Sequence, residues 1–371
     1  MRYKRIVIKL GTNLLTGDTS YLSQEIMADI VGQIASLHKE RCEIVIVSSG
    51  AVAAGRQKLG LSHEKRKDIP FKQVLAAVGQ NQLMYRYEQL FKQYEITVAQ
   101  ALLTKADITG RAGYLNARNT LLALIDLGVI CIINENDVIA TDELSELRFG
   151  DNDNLSAMVA NLIDADLLVL LSDIDGLYTD DPHHNSNAIR IPMVEQITEE
   201  IEGLAGGVVN SRGTGGMITK IEAAKLATAS GVTTVIANGR ISDVIKHVVS
   251  GVDVGTVFLP RNDKIDSRKR WMLSGLCCKG SLGVDAGAAS ALQKEYKSLL
   301  PSGIESIEGD FERGDVVDII DQNARLIGYG ICNYSADDIR NIKGAHSKDI
   351  GHILGYGYGA EIIHRNNMVI V

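Results

Sequence analysis

Six apolar runs of five or six residues, alternating with amphipathic stretches, dominate the first two-thirds of the chain: Arg5–Lys9, Glu43–Val47, Ile96–Ala101, Val129–Ile133, Leu167–Leu171 and Val232–Ala237. Between them, apolar residues recur at helical spacing over Leu22–His38, Phe71–Tyr94, Asn116–Leu127, Asp153–Ile163 and Met217–Ala229. Ser20 and Ser23 offer N-caps for the first of these helices, and Gly128 and Gly231 stop two others. Short, continuously apolar strands alternating with helices predict a parallel sheet covered on both faces, a three-layer α/β sandwich. In such a sheet ligands bind beyond the carboxyl ends of the strands, so the residues following each strand are the ones to inspect.

The pattern changes near Pro260. Residues 261–275 are charged and aperiodic at their start and read as a linker. Beyond them, glycine-split segments such as Gly314–Ile320 and Gly328–Gly330 suggest a small β-rich domain over 276–371. Two domains, 1–260 and 276–371, also suit a length of 371 residues, more than one core usually spans.

Composition narrows the function. With 45% hydrophobic and 23% charged residues the chain has ample material for a core, which excludes general disorder. The net charge of −8 lacks the sign of a bulk nucleic-acid coat. Five cysteines, at 42, 131, 277, 278 and 332, show no CxxC spacing and form neither a disulfide framework nor a zinc motif. Apolar runs such as Leu167–Leu171 fall far short of the roughly 20 residues of a membrane span. The opening MRYKRIVIKLG enters a strand at once, without a secretory apolar region, so the expected location is the cytoplasm.

The strand ends are rich in glycine and polar residues. They read Lys9-Leu10-Gly11-Thr12-Asn13, Ser48-Ser49-Gly50-Ala51, Asn134-Glu135-Asn136-Asp137 and Ser172-Asp173. Two further polar turns, Gly150–Asn154 and Gly213–Lys220, open helices. A glycine turn feeding a helix presents free N–H groups and the positive end of the dipole, a phosphate cradle. Two cradles, at Gly11 and at Gly213–Gly216, suit a polyphosphate, with Lys9 and Lys220 supplying positive charge. Phosphoryl transfer requires little beyond alignment and charge stabilisation, which two lysines and Mg²⁺ can provide.

The common nucleotide motifs are missing. Gly50–Arg56 has the GxxxxG spacing, but arginine replaces the P-loop lysine. Gly213–Ile218 fails GxGxxG at its sixth position. Each feature also has a plain structural reading. Lys9 could be a solvated strand-end lysine, Asp151 and Asp153 helix caps, and Asn134–Asp137 an Asx turn. His183 and His184 read as surface loop, and Cys277-Cys278 as inert strand. Their coincidence on one sheet edge is what favours a site.

Taken together, Val7–Thr12, Val47–Ala51, Asn134–Asp137, Gly150–Ala157, Ser172–Thr179 and Gly213–Lys220 resemble the amino acid kinase family. The similarity is strongest to the branch acting on glutamate. The stretches Leu299–Ile304, Gly309–Val317 and Gly328–Gly330 look like a PUA domain, which bacterial members of that branch often carry. The resemblance implies ATP-dependent phosphorylation of the L-glutamate γ-carboxylate to L-glutamyl 5-phosphate, the first step of proline synthesis. Acetylglutamate and aspartate are the alternative acceptors within the family.

By the same resemblance Lys9, Lys220 and Asp153 are catalytic, Asp153 lying between the lysines and orienting both. Ser49, Gly50, Asp137 and Asn152 match glutamate-contacting positions. Lys9, Gly11, Ser172, Asp173 and the Thr214-Gly215-Gly216-Met217-Ile218-Thr219-Lys220 loop match the nucleotide side. No resident metal site is expected; Mg²⁺ is implied with ATP, bridged mainly by phosphates. Thr12, where serine is common, and Ser48, where threonine is frequent, both keep a hydroxyl; Thr141–Arg148 aligns least well. A homo-oligomer, feedback inhibition by proline and handover of the labile product to a following reductase are also implied. A competing reading, an RNA-binding accessory protein, is disfavoured by the second domain's nine basic against thirteen acidic residues.

Overall fold

The computed structural model describes residues 3–371 except 18, 62–65, 67, 141–151, 183, 206–215 and 261–277. Two compact units result: residues 1–108 with 118–264, and 109–117 with 265–371. The proposed linker and the segment 141–148 lie outside the described residues.

In the first unit the order is β1 (Arg5–Leu10), α1 (Thr12–Thr16), α2 (Gln24–Lys39), β2 (Glu43–Ser48), α3 (Ala51–Leu59), α4 (Ile69–Lys92), β3 (Val98–Leu103), α5 (Lys105–Thr109), α6 (Arg111–Asp126) and β4 (Ile130–Glu135). There follow α7 (Asn152–Leu162), β5 (Leu167–Ser172), β6 (Met193–Val194), α8 (Glu199–Ala205), α9 (Met217–Ala229), β7 (Thr233–Asn238), α10 (Val244–Ser250) and β8 (Thr256–Phe258). Helices α5 and α6 carry the 109–117 segment that groups with the other unit, and nothing in the sequence pattern marked that division.

Eight strands form one sheet in the order β3-β4-β2-β1-β5-β7-β8-β6. All pairs are parallel except β7 with β8. Strand β1 sits between β2 and β5, with Lys9 opposite Val47 on one side and Leu170 on the other. Side chains alternate along it. Ile6, Ile8 and Leu10 enter the core shared with α2 and α4. Lys9 therefore lies on the opposite face, where α7 packs on β1.

Each sequence-expected strand and helix of this unit forms, shifted by a few residues at its ends. Ser23, rather than Ser20, caps α2 by accepting from the Ile26 N–H. Helix α3 was not among the helices expected from the sequence. Its explanation is packing. A Cβ on Gly55 would stand 1.9 Å from the Leu75 carbonyl oxygen, and one on Gly79 1.8 Å from that of Ala51. The two helices cross backbone to backbone, and only glycine permits it.

The second unit holds a five-stranded sheet: β9 (Gly280–Val284), β10 (Ile304–Gly309), β11 (Val316–Ile320), β12 (Leu326–Ile331) and β13 (Met368–Ile370), ordered β10-β9-β11-β12-β13. Only β9 with β11 is parallel. Its core joins Leu282, Val317, Ile319 and Ile327 to the helices Ala286–Glu295 and Ala336–Ile342. The second of these helices begins with a reciprocal capping box between Ser335 and Asp338.

Candidate active site

Three glycines open helices at the carboxyl edge of the large sheet. Gly11 precedes α1, Gly50 precedes α3, and Gly216 precedes α9, and none of these helices has a side-chain cap. By contrast α2 and α4, which begin elsewhere, are capped by Ser23 and Asp68. The first-turn N–H groups of α3 and α9 are thus left open where an anion could take them. Gly50 sits at φ 105° with a Leu22 methyl 3.1 Å from any added Cβ, so this turn requires glycine.

Asp153, in the first turn of α7, is fully buried and lies between two lysines. Its Oδ1 is 2.6 Å from Lys9 Nζ and its Oδ2 is 3.2 Å from Lys220 Nζ. Thr219 donates to the same Oδ2 at 2.9 Å. Lys9 and Lys220 are themselves only 3% and 4% exposed. Among the described residues, the two buried ammonium groups converge on this one carboxylate, and buried charge of this kind is held only where it is paired. Asp153 stands inside the first turn of α7, and its carboxylate faces the lysines.

Ser49 and Asn152 are joined directly: Asn152 Nδ2 donates to Ser49 Oγ at 3.0 Å and to Asn134 Oδ1 at 3.0 Å. Asn134 Nδ2 in turn donates to Gln80 Oε1 at 2.8 Å. Asp137 is 7% exposed and lines a cavity of about 490 Å³ with Gln80, Asn136 and Gln100. Gln80 thus lines the same cavity as Asp137 and, through Asn134, also joins the Asn152 network. Ser48, beside Ser49, shares a 2.8 Å hydrogen bond with Tyr87, and burial pushes that phenol's pKa up, keeping it protonated.

Ser172 donates to Asp173 Oδ1 at 3.0 Å, and Asn13 donates to its other oxygen at 3.3 Å. Asp173 opens a second cavity, of about 270 Å³, lined also by Gly176, Tyr178, Leu204, Met217 and Asn238. Gly216, Met217, Ile218, Thr219 and Lys220 follow one another into α9, with Met217 on that cavity and Thr219 and Lys220 on Asp153. Thr214 and Gly215 lie outside the described residues, as do Asp151 and His183. His184 is exposed, 3.7 Å from Asp181. Cys278 precedes β9 and is partly exposed.

Sequence reasoning missed Gln80, Tyr87, Asn13 and Asn238. The first two lie in a helix read only for its apolar period; polar residues on its buried face were the available signal.

The geometry can now be set beside known proteins. Residues 4–238 match the amino acid kinase family, and residues 280–354 the PUA domain. The chain belongs to the amino acid kinase family. It is 59% identical to the glutamate 5-kinase of Dehalococcoides mccartyi over 369 residues, covering 100% of this chain and 99% of that protein. The glutamate 5-kinase of Herpetosiphon aurantiacus is 50% identical over 99% of this chain and 98% of its own length. That of Moorella thermoacetica is 47% identical over 99% and 96%. In this amino acid kinase, among the described residues, no three His, Cys, Asp or Glu side chains converge as a metal cage. No described helix is long and apolar enough to cross a membrane.

Proposed function

We propose that this chain transfers the γ-phosphoryl group of ATP to the γ-carboxylate of L-glutamate, yielding L-glutamyl 5-phosphate and ADP. The observation that carries the reading is Asp153 between Lys9 and Lys220, with the Ser49–Asn152–Asn134 network on one side and the Asp173 cavity on the other. Full-length similarity to glutamate 5-kinases supports the choice of acceptor.

The acceptor carboxylate is ionised at neutral pH, so no general base is needed. Its oxygen attacks the γ-phosphorus as the bond to the β–γ bridging oxygen breaks, and ADP leaves. The barrier is the approach of one anion to another. Lys9 and Lys220 screen it and hold the transferring group, and Asp153 fixes the direction of both ammonium groups. Asp137 accepts from the glutamate α-ammonium, and Ser49 with the Gly50 N–H holds the α-carboxylate. Gly11, Ser172, Asp173 and the 214–220 loop hold the nucleotide. Mg²⁺ would be held mainly by the nucleotide phosphates rather than by a resident protein cage, and would neutralise phosphate charge there.

In this reading the enzyme is cytoplasmic, consistent with a sequence whose five cysteines show no disulfide-framework spacing. Proline, whose ring nitrogen is cationic, competes for the glutamate pocket. The protein works as a homo-oligomer that can pass its labile product to a reductase, and the PUA domain is regulatory or architectural rather than an RNA surface. The test is ATP-dependent acyl phosphate formation, trapped as hydroxamate, with glutamate, N-acetylglutamate and aspartate. Product with glutamate alone is expected. Preference for either other acceptor overturns the assignment.

A further inference from the structure

Helix α4 carries three polar residues seven positions apart, Gln73, Gln80 and Tyr87. Seven residues are close to two turns, so all three lie on one face of the helix. Each bonds a different segment around the amino-acid pocket, Gln73 through a backbone carbonyl and the other two through side chains. Gln73 Nε2 donates to the carbonyl of Val138, next to Asp137, at 3.0 Å. Gln80 Oε1 accepts from Asn134, which in turn accepts from Asn152. Tyr87 bonds Ser48, next to Ser49. Between these anchors, the Gly79 contact fixes the Ala51 carbonyl at the start of α3.

Gln80 has a further peculiarity. Its Nε2 is buried with no partner among the described residues. Buried polar atoms are normally satisfied, so a glutamine retained only for packing would be replaced at no loss by an apolar side chain. What this carboxamide does supply is the single acceptor that orients Asn134.

We infer that Gln73, Gln80 and Tyr87 are positioning residues that set the geometry of the amino-acid subsite, acting through Asp137, Asn152 and Ser49 respectively. The inference rests on the glutamate reading above. None of the three bonds reaches Lys9, Lys220 or the Asp173 cavity, so the effect is confined to one substrate. The consequence is a selective change in amino-acid affinity, with ATP recognition intact.

The experiment measures KM for glutamate and for ATP, kcat and melting temperature in Gln73→Met, Gln80→Met, Gln80→Glu and Tyr87→Phe. A neutral hydrogen bond lost from a positioning network corresponds to a change of up to about tenfold. Gln80→Met and Tyr87→Phe should each raise the glutamate KM by about three- to tenfold with the ATP KM unchanged, and Gln73→Met by less, since its bond is exposed. Gln80→Glu restores an acceptor oxygen and should recover most of the loss. Tyr87→Phe keeps the ring volume, so it remains informative if a glutamine variant misfolds. Lower melting temperatures with unchanged KM values, or equal rises for both substrates, would overturn the inference. Wild-type enzyme that ignores glutamate would instead overturn the functional reading beneath it.

Discussion

The two ends of helix α7 hold buried charge in opposite ways. Among the described residues, Lys9 and Lys220 at its amino end surround one carboxylate, Asp153. At its carboxyl end the described charges balance. Arg118, 1% exposed, pairs with Asp164 at 2.6 Å and donates to the Leu162 carbonyl. Arg5 pairs with Glu43 at 2.7 Å and donates to the Ile163 carbonyl. Lys4 also reaches Glu43, and Asp166 accepts the Lys4 and Arg5 backbone N–H groups. Among the described residues, Lys4, Arg5 and Arg118 thus meet Glu43, Asp164 and Asp166, while the helix carbonyls meet guanidinium groups as the dipole favours. The lesson lies in placement. The carboxyl-end cluster ties strand and helix ends together, whereas the amino-end cluster gathers two lysines beside the uncapped starts of α3 and α9, where an anionic ligand can meet them.

The comparison breaks most sharply at Asp153. Asp153→Asn keeps the side-chain volume but removes the carboxylate on which both buried ammonium groups converge. Turnover should fall by about 10²–10³, the scale for disturbing preorganised charge at a transition state. Steady-state kinetics at saturating substrates, with a melting curve, separate this from lost folding; near-normal kcat in a folded variant would place Asp153 among the structural charges.

Asp137→Ala tests the amino-acid side. Loss of a charge-assisted hydrogen bond should raise the glutamate KM by about 10- to 100-fold and leave the ATP KM within about twofold. Proline inhibition should weaken in parallel. If Asp137 only closes the turn after β4, stability drops and both KM values stay where they are.

At the balanced end, Arg118→Met should show the reverse signature. It removes a charged hydrogen bond and a helix cap, worth about 1–3 kcal/mol. The pair is discounted because the Asp164 side chain is 28% exposed and can rehydrate. Chemical denaturation should record the loss while kcat of the folded enzyme holds. A collapse of kcat at unchanged stability would erase the distinction between the two ends.

Thr219→Val is the finest probe. It deletes one donor to Asp153 Oδ2 and leaves both lysines in place. A fall in kcat of about three- to tenfold is expected, with KM values little altered.

The amino end of α7 was legible in the sequence because its chemistry is written in short stretches: Lys9 two residues before Gly11, Asp153 at a helix start, Lys220 following a glycine turn. Their meeting could be expected because parallel strands all end on one edge. The carboxyl end was not legible. Arg118 lies in α6 and Asp164 in the turn after α7, and nothing in either neighbourhood says that a guanidinium will be buried. Helix α3 was hidden for a related reason. Gly55 lowers helix propensity locally, and only its contact with α4 explains why glycine stands there. Gln80 and Tyr87 were likewise invisible to a reading that counts apolar periods, since their partners, Asn134 and Ser48, lie 54 and 39 residues away.

The central claim is that Lys9 and Lys220, gathered by Asp153, serve the transferring phosphoryl group. Its most direct test is single-turnover phosphoryl transfer in Lys9→Ala, with both substrates saturating and the melting temperature recorded alongside. The account predicts a folded protein, still retaining the Asp153–Lys220 pair, whose transfer rate is lower by about 10²–10³. A folded Lys9→Ala enzyme transferring at close to the wild-type rate would contradict it.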